Sequence, residues 1–185
     1  PVPGRIGMVA TADHYPNRAG IDSFAGALAR HKPGDDVRVR LVGGGEAAAR
    51  ELQCRFPFIE YLGPLSDQAL RQEAATWSLF VHPLFWHARG ASTKIATAVG
   101  WGLPVLTTPA GLRGYRWRAG EIATAATPIG MAERAVQLLS HPAALAAARE
   151  SVLQVAQSGP SMSELGSALA RALAEARHAR PQAAL

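Results

Sequence analysis

The chain has 185 residues, 48% of them hydrophobic and 18% charged, with 19 basic against 14 acidic side chains for a formal charge of +5. That length and apolar content suffice for one well-buried domain, and the 13 Pro and 18 Gly are not clustered as in a disordered chain. The single cysteine, Cys54, excludes an internal disulfide framework, and no apolar run reaches the roughly 18 residues of a membrane span, so a reducing cytoplasm is expected.

Short apolar runs alternate with longer Ala/Leu-rich runs of helical period, which argues for successive βα units around a parallel sheet. Pro1-Val2-Pro3-Gly4, without an initiator Met, reads as a linker, and natural residues are expected upstream of it. A strand is expected at Arg5–Thr11, then a loop to Arg18 and a helix over Gly20–His31. A second strand at Val37–Val42 leads through Gly43-Gly44-Gly45 into a helix at Glu46–Phe56. The third strand, Phe58–Tyr61, is followed by Leu62-Gly63-Pro64-Leu65 and a helix at Ser66–Ala75, with Ser66 or Asp67 as its cap. Leu79–His82 reads as a strand buried on both faces, Ser92–Gly100 as a helix, and Pro104–Thr107 and Ile122–Ala125 as the last strands. From Pro128 the chain is helical, over Pro128–Ser140, Pro142–Gln157 and Met162–Arg177. The narrow stripe Leu165, Leu169, Leu173 and Ala176 on the last helix is expected to lie on the sheet domain or on a neighbour. Residues 1–178 thus read as one Rossmann-like α/β domain, a parallel sheet flanked by helices with a helical C-terminal end, and residues 179–185 as a disordered tail.

The stretch Leu79–Gly114 carries the chemistry. The loop Arg89-Gly90-Ala91-Ser92-Thr93-Lys94 offers unhindered backbone N–H groups, two hydroxyls and cations at the start of a helix, whose dipole favours negative charge. Between Ala74 and Gly120 there is no Asp or Glu, while Arg89, Lys94, Arg113, Arg116 and Arg118 are all positive. Only Lys32 and Lys94 are lysines, the other basic residues being arginines, which adds weight to Lys94. A phosphate is the expected guest. Three further loops share the strand-end rim: Thr11–Arg18 with Asn17, Gly43–Gly45, and Leu62–Leu65. A three-glycine turn alone is equally a tight βα connection. His87 and His14 lie in rim loops and are candidates for ligand contact, whereas His82 at a strand end reads as a hydrogen-bonded core histidine. Trp77, Trp86, Trp101 and Trp117 read as core or interface residues, with Trp86 or Tyr115 also suited to face a nucleobase. Neither G-x-G-x-x-G with a downstream acid nor G-x-x-x-x-G-K-[ST] occurs, which disfavours dinucleotide and ATPase readings. Histidines and carboxylates do not cluster at metal-ligand spacing, so no metal is expected. The cations form no dense block interleaved with aromatics, so no nucleic acid is expected.

Several blocks fall in a familiar order: Tyr15-Pro16-Asn17-Arg18-Ala19-Gly20-Ile21-Asp22, Leu41-Val42-Gly43-Gly44-Gly45, Leu62-Gly63-Pro64-Leu65-Ser66-Asp67, then Pro83 through Gly90, Lys94-Ile95, and Gly102-Leu103-Pro104-Val105-Leu106-Thr107-Thr108. In this order they resemble the C-terminal, donor-binding domain of GT-B glycosyltransferases of the group 1 (family 4) type, over roughly Arg5 to Gly114. The resemblance implies one half of a GT-B fold that binds a nucleotide-sugar for transfer to an acceptor, a glycan or a lipid-linked glycan. It implies no cofactor, no metal and retention of configuration, and it places the acceptor site in an N-terminal domain that this chain lacks. A cytoplasmic location follows, extending to a peripheral one at the inner membrane face. Gly90, Ala91, Ser92, Thr93 and Lys94 are the donor-phosphate positions, with Asn17 and Gly43–Gly45 lining the same cleft. The family's two glutamates, eight positions apart, fall at Arg89 and Thr97, so this chain has neither carboxylate. Thr97 retains a hydroxyl for a ribose and Arg89 a cation for a phosphate. A non-catalytic binding or interaction domain that has lost the glutamates is the alternative.

Overall fold

Leu79, Phe80, Val81 and His82 are all buried, and as successive residues of one strand they point to opposite faces, so both faces of that strand must be covered. The computed structural model, which describes residues 1–31, 34, 36–86, 90–159 and 161–178, shows how. Strands β1 (Arg5–Val9), β2 (Arg38–Val42), β3 (Ile59–Gly63), β4 (Leu79–His82), β5 (Val105–Thr107) and β6 (Ala123–Thr124) form one parallel sheet in the order β3-β2-β1-β4-β5-β6. Arg5 pairs with Arg38, Ile6 with Leu79 and His82 with Thr107. The helices are α1 (Tyr15–Arg30), α2 (Glu46–Arg55), α3 (Asp67–Ala74), α4 (Thr93–Gly100), α5 (Pro128–Ser140), α6 (Pro142–Ser158) and α7 (Met162–His178), and a 3₁₀ turn spans Pro109–Leu112.

The pleat sorts side chains into two cores. Ile6, Met8, Leu79, Val81 and Leu106 meet Phe24, Leu28, Met131 and Leu138 of α1 and α5 on one face. Phe80 and Val105 meet Trp77, Ile95, Val99 and Val152 on the other, which α4 and α6 cover. Ser66 caps α3, its Oγ accepting from Ala69 N at 3.3 Å, and Thr127 caps α5 by accepting from Gly130 N at 3.1 Å.

One expectation is corrected, and of the two places expected for the α7 stripe the structure bears only on the sheet domain. Helix α1 begins at Tyr15 rather than Gly20, because Pro16 in its first turn has the φ a helix start needs and forfeits no hydrogen bond there. Asn17 therefore sits in the first turn of a helix instead of a loop. The apolar stripe of α7 lies on neither core: Leu165, Leu169 and Leu173 are 53%, 62% and 54% exposed. The tail expected over residues 179–185 lies outside the described residues.

Candidate functional site

A parallel sheet in this order has one place where the chain leaves neighbouring strands in opposite directions, between β1 and β4, and a crevice opens beyond their carboxyl ends. The N-termini of α1 and α4 lie at that crevice, where the helix dipoles favour negative charge. A cleft of about 150 Å³ lies here, and its walls include His14, Asn17, His82, Ser92, Lys94 and Arg113.

Lys94 occupies the first turn of α4. Its Nζ donates to Asn17 Oδ1 at 3.3 Å, so the sequence-remote Asn17 is brought to the same point. Asn17 Nδ2 in turn donates to the carbonyl of Thr11 at 3.0 Å, which orients the amide oxygen toward the lysine. Burial foremost, then the Arg113 guanidinium, holds the ammonium below the usual lysine value. His82 lies beneath, only 7% exposed, and burial followed by the charges of Lys94 and Arg113 pushes its pKa down to about 3. At neutral pH it is an uncharged ring under two cations. The cleft has no carboxylate among its described lining residues. Such a site has a positive potential in partly desolvated surroundings, which is the setting in which an anion gains most from charge-assisted hydrogen bonds.

The other expected positions separate. Gly90 and Ala91 are exposed, Ser92 is buried and Thr93 exposed at the entry to α4, and of these Ala91, Ser92 and Thr93 line the Lys94 cleft. Gly43–Gly45 follow β2 and lie against the turn after β1, with Ala12 N donating to Gly44 O at 2.8 Å and Tyr61 Oη to Gly43 O at 2.9 Å. They do not line the Lys94 cleft itself. Thr97, one turn after Lys94, opens into a groove of about 670 Å³ between α3 and α4, with Asp67, Arg71 and Trp101. His87 and Arg89 lie outside the described residues. Trp86 is 37% exposed and meets Tyr15 at 6.2 Å between ring centroids, while Tyr115 pairs with Trp117 beside α4 and α6, in a cavity sharing no lining residue with the Lys94 cleft.

The sequence reading named Arg113 only as one charge among five. The structure brings it to the cleft because the turn after β5 folds back onto the Gly90–Ser92 loop, a proximity that nineteen residues of separation hide.

Comparison with known proteins decides what this crevice belongs to. The family model described as glycosyl transferases group 1 matches residues 3–141. The chain belongs to the group 1 glycosyl transferases. Anabaena HepE, in a structure with UDP and glucose, superposes on this transferase domain with a TM-score of 0.75 at 16% identity, over 94% of this chain and 49% of that one. WaaG, described as a glycosyltransferase involved in lipopolysaccharide biosynthesis, gives 0.69 at 22% identity, over 90% and 46%. A variant of the Thermobaculum terrenum O-GlcNAc transferase gives 0.71 at 20% identity, over 96% and 36%. These likenesses show a Rossmann-like fold shared with one part of GT-B glycosyltransferases, and the chain spans about half or less of the length of those it matches. No curated protein matches it in sequence.

Proposed function

We propose that this domain holds the nucleoside diphosphate of a nucleotide-sugar beyond β1 and β4, and serves as the donor half of a glycosyltransferase whose acceptor half lies on chain outside this sequence. The observation that carries the reading is Lys94: a part-buried ammonium at a helix N-terminus, at the sheet's switch point, with a neutral amide as its described partner. HepE and the pneumococcal O-GlcNAc transferase GtfA, both similar in fold, are described in complex with UDP together with a sugar, which supports the same guest here.

In glycosyl transfer the bond from the anomeric carbon to the diphosphate oxygen breaks, and negative charge accumulates on the departing nucleoside diphosphate. Lys94 and the first N–H groups of α4 lie where that charge would develop, and they would stabilise it more in the transition state than in the ground state. In this reading the protein's own cations meet the charge and the transfer is metal-independent. Retention of configuration is carried over from the family by analogy. The groove at Thr97 is the place for the nucleoside, with the threonine hydroxyl on a ribose oxygen.

The test is calorimetric titration with UDP, GDP and ADP beside the Lys94→Ala variant. One nucleotide is expected to bind selectively, and the variant to lose about 1.5–3 kcal/mol, the range for hydrogen bonds to charged groups. Equal affinity in the variant overturns the assignment. A second reading, a binding domain without transferase activity, is favoured by Thr97 itself, which stands where the family has a glutamate and supplies no carboxylate. Nucleotide binding without sugar transfer, once the acceptor half is supplied, would select it.

A further inference from the structure

We propose that Arg113 is a second cation of this site and grips the donor's diphosphate together with Lys94, as a fork beside a point charge. The proposal rests on the donor-site reading above and extends it to a residue on a different strand end.

The turn that carries Arg113 is fixed on every side by hydrogen bonds that do not involve a ligand. Thr108, buried at the end of β5, accepts from Gly111 N at 3.0 Å and donates to the carbonyl of Leu84 in the loop after β4. Thr107 Oγ1 donates to the carbonyl of His82 at 2.9 Å, tying the same two strand ends once more. Beyond the 3₁₀ turn, Trp117 Nε1 donates to Leu112 O at 2.8 Å. Ser92 N reaches Arg113 O at 3.4 Å, and at Gly114 the chain passes so close to Ala91 that a Cβ would stand 2.4 Å from its Cα, at a φ of 86° that favours glycine. Arg113 is therefore held against the anion loop by its own backbone. Its Nη1 donates to Ala110 O at 3.2 Å, and the residue forms part of the wall of the cleft.

The charges explain the arrangement. Lys94 and Arg113 are close enough for each to be felt at His82, and the described lining between them holds no carboxylate. Two like charges near a buried neutral ring repel one another, and a structure that nevertheless fixes both is organised for a guest with at least two negative charges. A diphosphate supplies them, and only the arginine can present two parallel N–H donors to its oxygens.

The experiment titrates the chain with UDP, GDP and ADP, and with the corresponding monophosphates, comparing Arg113→Gln, Arg113→Lys, Lys94→Ala and Arg118→Gln. Arg118 is an exposed control paired with Glu121. Arg113→Gln is expected to weaken diphosphate binding about ten- to hundredfold and monophosphate binding less, with Arg113→Lys recovering part and Arg118→Gln unchanged. Melting transitions of all variants are recorded, and Arg113→Lys, which keeps the charge and the aliphatic stem, carries the comparison if Arg113→Gln fails to fold. Loss of binding in Lys94→Ala but wild-type affinity in Arg113→Gln overturns this proposal and leaves the donor-site reading standing. An equal loss for mono- and diphosphates also overturns it. No nucleotide binding by the wild-type chain overturns both.

Discussion

His82 shows how much a single side chain is governed by its neighbours. In an unfolded chain its ring titrates near pH 6.5, whereas in the fold burial and two cations push it down to about 3. Between these values the unfolded state binds a proton that the native state refuses. Stability is therefore insensitive to this group above about pH 6.5 and falls as pH drops toward 3, by about 1.4 kcal/mol per unit at the steepest. Urea denaturation from pH 8 to pH 4 should show that decline, and His82→Gln should flatten it even if the variant is less stable throughout. An identical slope in the variant would mean that the imidazole is not held neutral beneath Lys94 and Arg113.

At the scale of elements, the placing of α1 shows what packing adds to pattern. Tyr15-Pro16-Asn17-Arg18 reads as loop, with a helix opening near Gly20, since glycine more often flanks a helix than joins it. In the fold Gly20 is inside α1 and buried, because the helix crosses the chain after β4 so closely that a Cβ there would stand 1.8 Å from the carbonyl of Pro83. The glycine marks a crossing and not a boundary, and no local signal separates the two. Gly26, two turns on, would place a Cβ 3.8 Å from Phe56 Cζ, an ordinary contact. The same substitution in the same helix should thus have opposite effects: Gly20→Ala costs about 1–3 kcal/mol by overpacking, and Gly26→Ala stabilises by about 0.5–1 kcal/mol. Guanidinium denaturation of the two variants measures both, and a stable Gly20→Ala would refute the close crossing. The six strands were legible because their apolar runs are short and bounded by turn residues, and the Gly90–Lys94 loop because its neighbours in sequence are its neighbours in space. Arg113 and the Lys94–Asn17 contact were not, since each depends on strand order: β1, β4 and β5 are adjacent in the sheet although most of the chain between β1 and β4 runs elsewhere.

For the whole molecule, the sheet and its two cores define what must stay together. Helix α6 belongs to that unit, since Val152 is buried in the second core and Ser151 Oγ donates to Glu121 O at 2.9 Å. Helix α7 does not. Its described side chains from Met162 to Ala176 are exposed, none enters either core, and its N-terminus is secured by its own residues: Glu164 N donates to Ser161 Oγ at 3.2 Å, and Ser161 N to Glu164 Oε2 at 2.7 Å. Most of a helix's stability in a protein comes from packing its apolar face, and the 17-residue α7 packs none of its described side chains into either core. Ending the chain after Gly159 should therefore leave the melting temperature within about 2 °C, the shift expected when less than about 1 kcal/mol is lost from a domain of this size. Ending it after Ser140, which removes Val152 from the second core, should lower the transition by many degrees or abolish it. Differential scanning calorimetry of the two truncations against the full chain decides the matter: a large fall after the first cut would mean that the leucine stripe of α7 is buried against this domain in solution, whereas an unchanged transition leaves Leu165, Leu169 and Leu173 as surface that the sheet domain does not use for its own stability.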